Sequence, residues 1–150
     1  MKHISVVAPA GAWNAISAVD VVKLDATDRH RRRVVLVGEE GATYLLNLSE
    51  PQQLREGDGL VLEDGSIVRV AAKPESLIEI TAPDASSLAR LAWHIGNRHT
   101  DVQVLGETLR IRRDHVLEEM LRARGAILTA LEAPFDPEPG AYSAHGHERD

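Results

Sequence analysis

Four histidines carry the chemistry that this sequence can offer: His99, His115, His145 and His147. Imidazole is the commonest protein ligand for a transition metal. The run Trp93-His94-Ile95-Gly96-Asn97-Arg98-His99-Thr100 places His99 just past the end of an amphipathic helix. The last carbonyls of a helix carry partial negative charge, so a cation or a metal-bound imidazole is favoured there. Spacing alone leaves a second reading of His99 open, that of a solvated loop residue. His94 lies five positions before His99, not at the i, i+4 separation that chelates from one helix face, and reads as a solvated helix residue. His115 follows Asp114 in the first turn of a second helix, a candidate ligand or a surface histidine. His145-Gly146-His147 is an H-x-H pair around a glycine, so both rings can turn towards one cation, although two imidazoles make an incomplete shell.

Composition narrows the ligand set. The chain has no cysteine, so thiolate nucleophiles, thiolate ligands and disulfides are excluded. Any metal must then be held by imidazole, carboxylate, backbone or water. A net charge of −6 argues against a nucleic-acid scaffold, because phosphate binding relies on Lys and Arg. The one basic run, Arg29-His30-Arg31-Arg32-Arg33, has no interleaved aromatics for base stacking and reads as part of a solvated strand. Glu39-Glu40 and Glu118-Glu119 read as exposed charge pairs, not as catalytic carboxylates. Phosphate-loop, nucleophile-elbow and H-E-x-x-H patterns are all missing, so an enzyme is not expected. Neither a signal peptide nor an apolar run of membrane-spanning length is found, and a cytoplasmic protein without membrane contact is expected.

The elements that must position these residues are legible from period and turns. Residues 1–73 read as an all-β domain, with strands at Asp20–Leu24, Val34–Val37, Thr43–Leu48, Leu60–Leu62 and Ile67–Val70. Gly38-Glu39-Glu40-Gly41, Glu56-Gly57-Asp58-Gly59 and Glu63-Asp64-Gly65-Ser66 supply the tight turns, and Asp64-Gly65 is a hairpin signal. Pro at Lys73-Pro74 forbids a continued central ladder and marks a boundary.

Residues 74–136 read as β-α-β-β-α-β, the order of the ferredoxin-like fold, which makes the whole chain α+β. The strands are Ser76–Ala82, Val102–Leu105, Thr108–Arg113 and Ala126–Ala133; the helices are Asp84–Asn97 and Asp114–Arg124. Asp114 suits an N-cap and Gly125 the C′ position of the second helix. On the first helix Leu88, Ala92 and Ile95 form the core stripe, flanked by Ala85 and Leu91. Trp93 falls off that stripe, which suggests either a partner surface such as a homodimer contact or packing against the β-rich domain. From Pro134 onward Pro, Gly and polar residues predominate, so a mobile tail is expected, with residues 137–150 disordered.

Three blocks resemble one family. Trp93–His99, Asp114-His115-Val116-Leu117-Glu118-Glu119-Met120-Leu121 and Pro134-Phe135-Asp136-Pro137-Glu138 with Gly140-Ala141-Tyr142 look like the urease accessory nickel chaperones, UreE. Arg31-Arg32-Arg33 before a strand, Leu45-Leu46-Asn47-Leu48, Leu54-Arg55-Glu56-Gly57-Asp58 and Glu63-Asp64-Gly65 extend the likeness to the N-terminal half. The resemblance implies a homodimer that carries nickel as cargo to the urease maturation complex. Its partners are then the urease accessory GTPase UreG and apo-urease; zinc or copper would suit the same ligands. It implies a peptide-binding-like N-terminal domain and a ferredoxin-like metal-binding domain. It also implies that His99 is the essential ligand at the dimer interface. His145 and His147 are expected to complete the shell. Some relatives carry a histidine where Arg113 stands, so a second site at His115 is expected to be weaker. Two other classes remain: an interaction adaptor of urease assembly with incidental metal binding, and an RNA-binding module.

Overall fold

The computed structural model describes residues 1–139. Expectations that fall on His145 and His147 therefore lie outside the described residues. The chain divides into two compact units, with the break between Lys73 and Pro74.

The first unit is a six-stranded sheet of β1 (Lys2–Ala8), β2 (Asp20–Leu24), β3 (His30–Val37), β4 (Thr43–Gln53), β5 (Gly59–Leu62) and β6 (Ile67–Ala72), in the order β2-β6-β5-β1-β4-β3. Period-two alternation sends Tyr44, Leu46 and Leu48 of β4 and Val68 and Val70 of β6 into one core with Ile4, Val22, Leu24 and Leu60. The turn after β3 reaches back to β2. There the Glu39 N–H donates to the Val21 carbonyl at 2.9 Å, and the Tyr44 hydroxyl donates to Asp20 Oδ2 at 2.6 Å. Gly38 lets this happen, because a Cβ at that position would overlap the Asp20 carboxylate.

This unit departs from the expected set of strands in three places. β1 was not anticipated, since only Ile4 among its residues is fully buried and its pattern is weak. A 3₁₀ turn spans Ala15–Ser17, and a one-turn helix α1 (Ala26–Arg29) separates β2 from β3. Asp25 caps α1 by accepting from the Asp28 N–H at 2.8 Å. The basic run is split accordingly. Arg29 is 1% exposed, and its guanidinium donates to the carbonyls of Leu24 (3.2 Å) and Leu54 (3.4 Å). Only the following residues form a strand, with Arg33 exposed and Arg31 and Arg32 half-buried. The solvated reading fails at Arg29, because two backbone carbonyls, one of them 25 residues away, converge on it.

The second unit contains β7 (Pro74–Thr81), α2 (Ala85–Asn97), β8 (Gln103–Leu105), β9 (Thr108–Arg112), α3 (His115–Ala123) and β10 (Ile127–Pro134). Its four strands are antiparallel in the order β10-β7-β9-β8. Ile78, Ile80, Leu109 and Ile111 on one sheet face pack with Leu91 and Ile95 of α2 and Leu117 and Leu121 of α3. Leu88 and Ala92 are half-buried against this cluster, so the core stripe read from the 3.6-residue period lies where it was placed. Asp84 and Asp114 cap the two helices, accepting from Ser87 N–H (2.7 Å) and Leu117 N–H (3.1 Å).

The other sheet face alternates charge with the core. Arg110 meets Glu79 at 3.1 Å, and Arg112 meets Glu75 at 3.2 Å and Asp101 at 3.0 Å. The chain after β10 lies across this face. Phe135 is 0% exposed, with the Arg112 guanidinium 4.8 Å from its ring centroid. The Asp136 N–H donates to Gln103 Oε1 at 3.1 Å, and the Glu138 N–H donates to the Val102 carbonyl at 2.8 Å. Phe135, Asp136 and Glu138 thus have specific partners, which the composition from Pro134 onward does not announce. One aromatic ring and two backbone amides hold a segment whose composition alone reads as loose. Among the described residues no helix is long and apolar enough to cross a membrane.

Candidate metal centre

α2 ends in a hydrogen-bonded reversal that fixes the backbone of His99. The His99 N–H donates to the Gly96 carbonyl at 3.0 Å and the Thr100 N–H to the Ile95 carbonyl at 3.5 Å. This pair of bonds is the Schellman arrangement, and it requires a left-handed residue at the position after the C-cap. Arg98 is the C-cap, and His99 takes that position with φ +57°. It is the one non-glycine residue with positive φ among those described. α3 ends the same way, with bonds of 3.0 and 3.1 Å, but there Gly125 occupies the left-handed position at φ +86°. Two helices in one unit thus close with the same motif, one on the residue that sterics prefer and one on a histidine. Backbone strain of this kind, kept where glycine would remove it, points to a function for the side chain. His99 is exposed.

A neighbouring ion pair holds this loop on the side that leads to β8. Two residues after His99, Asp101 accepts from Arg112, which is itself fixed by Glu75 and stacked on Phe135. On α2, Trp93 is 64% exposed, and its ring meets that of His94 edge-on at 5.0 Å. His94 is half-buried, so its solvated reading is corrected: the indole beside it covers part of the ring.

His115 opens α3 with its side chain 84% exposed, and its Nε2 lies 3.2 Å from Glu119 Oε1 one turn on. The expectation that Glu118 is an exposed charge fails. It is 4% exposed, accepts the Arg113 guanidinium through both oxygens (3.2 and 3.3 Å), and accepts the Asp114 N–H at 2.8 Å. Burial pushes its carboxyl up, but the bonds from Arg113 and Asp114 and the charges of Arg113 and Arg122 outweigh this and hold it below the usual range. Arg113 thus serves the start of α3. Among the described residues no three His, Asp or Glu side chains are grouped to hold an ion, and His99 and His115 are not brought together in such a group.

The model of the UreE urease accessory protein N-terminal domain matches residues 4–73, and that of the C-terminal domain matches residues 75–150. This chain belongs to the UreE family. A urease accessory protein UreE of Beijerinckia indica is 47% identical over 148 residues, covering 99% of this chain and 85% of the relative. A UreE of a Bradyrhizobium species is 52% identical over 131 residues, covering 87% of this chain and 64% of its own length. A UreE of Rhodopseudomonas palustris is 54% identical over 127 residues, or 85% and 60%. The chain therefore spans about three fifths of the length of several relatives it matches. All three relatives are named urease accessory proteins.

Sequence reasoning singled out His99 but missed its supports: Asp101, Gln103, Arg112 and Phe135. A signal for one of them, Arg112, was present. Arg110 and Arg112 alternate with Leu109 and Ile111, as Glu75 and Glu79 do with the apolar residues of β7, which is the pattern of a charged sheet face. Asp101, Gln103 and Phe135 had no local signal.

Proposed function

We propose that this chain is a nickel-binding metallochaperone that delivers the ion, as cargo, to the urease maturation complex. It acts as a homodimer in which His99 is the ligand of each protomer. In a two-fold assembly a residue near the axis meets its own symmetry mate, so one imidazole per chain gives two. His145 and His147 add donors from the C-terminal segment, and His115 makes at most a weaker second site. Nickel passes to the urease accessory GTPase UreG and then to apo-urease in the cytoplasm. Zinc and copper compete for the same imidazoles, so selectivity rests on supply and on the receiving partner. We also read the second unit as a ferredoxin-like domain and residues 1–73 as its peptide-binding-like companion. The strand order β10-β7-β9-β8 supports the first of these readings.

The observation that carries the proposal is the left-handed backbone of His99 at a helix end where glycine serves the same turn in α3. An open ligand shell suits transfer, because an incoming donor can enter before the old ones leave, whereas a closed shell suits retention. Calorimetric nickel titration of the full chain and of His99→Ala, with light scattering for oligomeric state, tests it. His99→Ala is expected to abolish the tight site from a protein that remains dimeric. Full affinity in that variant would remove His99 from the site.

A further inference from the structure

The turn that carries His99 is not held by packing. Gly96, Asn97, Arg98 and His99 are all exposed; Ile95 before them is buried in the core, and Val102 after them packs against it. Helix ends fray, and a surface turn moves unless polar bonds tie it down. A left-handed histidine needs such ties more than most residues, because a strained backbone persists only where its surroundings over-determine it.

A tie from the sheet arrives at Asp101, two residues past His99. Arg112 of β9 donates from Nη1 to Asp101 Oδ2 at 3.0 Å and from Nε to Glu75 Oε1 of β7 at 3.2 Å, with the buried ring of Phe135 under its guanidinium. Two residues span at most about 7 Å, so a fixed Asp101 confines the Cα of His99. Two residues earlier on β9, Arg110 stands on the same sheet face and meets Glu79 at 3.1 Å. That pair joins β9 to β7, whereas the Arg112–Asp101 pair joins β9 to the His99 loop.

We infer that Asp101 and Arg112 are positioning residues of the metal centre, holding the His99 imidazole where the imidazole of a second protomer can share one nickel ion. The inference rests on the proposed nickel site and deepens it. Neither residue needs to touch the ion. A site built on one imidazole per chain tolerates little misplacement, and a loose turn must be ordered at every binding event. Removing the groups that orient a metal ligand weakens affinity about ten- to a hundred-fold. Asp101 acts through the backbone and not on the ring itself, so the low end, about ten-fold, is expected. Arg112→Lys keeps the charge but loses the planar fork that serves Glu75 and Asp101 together, and should act like Asp101→Ala.

The test is nickel titration of the full chain, of Asp101→Ala, Arg112→Lys and the two together, and of Arg110→Lys as the reference. Each single variant at the Arg112–Asp101 pair is expected to weaken binding about ten-fold, and the double variant no further than the weaker single. Arg110→Lys is expected to leave affinity unchanged. Asp101→Ala should also keep the urea midpoint of the parent when a chelator is present, because a pair this exposed contributes little to stability. A loss of affinity that tracks a loss of stability, an equal loss in Arg110→Lys, or no loss in Asp101→Ala would overturn the inference. Nitrogen-15 relaxation of the metal-free protein gives a second readout. The order parameters of the His99 and Thr100 amides are expected to fall in Asp101→Ala and to hold in Arg110→Lys; unchanged values in Asp101→Ala would also overturn it. His99→Ala separates the two levels. Full affinity in that variant removes the nickel site and the inference with it, whereas tight binding that needs His99 but not Asp101 overturns the inference alone.

Discussion

Replacing His99 by glycine should stabilise the fold while removing the proposed ligand. A residue with a Cβ costs roughly 1–2 kcal/mol in the left-handed region, histidine lying near the low end of that range. Glycine removes this cost but returns roughly 0.4–1 kcal/mol as extra freedom of the unfolded chain. The balance leaves His99→Gly more stable by about 0.5 kcal/mol. His99→Ala keeps the Cβ and gains nothing. α3 supplies the mirror experiment. A Cβ on Gly125 would meet no atom within 4 Å, so Gly125→Ala isolates the backbone term and should cost about 1 kcal/mol. The assay is urea unfolding followed by helical circular dichroism, because α2 and α3, the longer helices among the described residues, both belong to the second unit. A chelator must be present throughout, since bound metal or a shifted dimer equilibrium would stabilise the folded state by mass action. A less stable His99→Gly in the absence of metal, together with a neutral Gly125→Ala, would refute the argument that His99 is held in a strained conformation.

Two further outcomes follow from the buried polar groups. Glu118→Gln should lower stability by about 2 kcal/mol at neutral pH, through loss of the charged acceptor of Arg113 and weakening of the Asp114 bond. Because the Glu118 carboxyl titrates below its ordinary value, its contribution is present above the ordinary Glu range and is lost as pH falls through the lowered folded value. The acid limb of a stability–pH curve should therefore be flatter in the variant. Tyr44→Phe removes the hydroxyl bonded to Asp20 and should cost about 2 kcal/mol by urea unfolding. Burial, then the bond to Asp20 and the charges of Asp20 and Glu40, push the Tyr44 phenol up to about 12. Its contribution is full below the ordinary value of 10.0 and disappears as pH rises towards about 12, so the variant should lose less stability over that interval.

The local features of this chain were readable without a structure. Asp84 and Asp114 announce helix starts because a short carboxylate satisfies orphan amides within three residues of itself. Tyr44, Leu46 and Leu48 announce a buried strand face because the pleat repeats every two residues. Gly125 announces a helix end because it alone takes the left-handed turn without cost. His99 was legible as a histidine past a helix end, but not as the residue occupying the glycine position of that turn. Its φ depends on where the last helical bond falls, which local propensity does not settle to a single residue.

What the tertiary structure decided involves partners far apart in the chain. Arg29 reads as one charge in a basic run until the Leu54 carbonyl, 25 residues on, arrives to receive it. Gly38 reads as a turn glycine until the Asp20 carboxylate, fixed by Tyr44, leaves no room for a Cβ. Phe135 reads as the start of a loose tail until Arg112, 23 residues before it, provides a surface for its ring. Period, capping and turn chemistry act over a few residues, so the sequence by itself determined most of the elements and which donor types the chain can offer. Burial of a charge or a ring is decided by what strand pairing brings opposite it, and only the folded chain fixes which side chains hold the His99 loop.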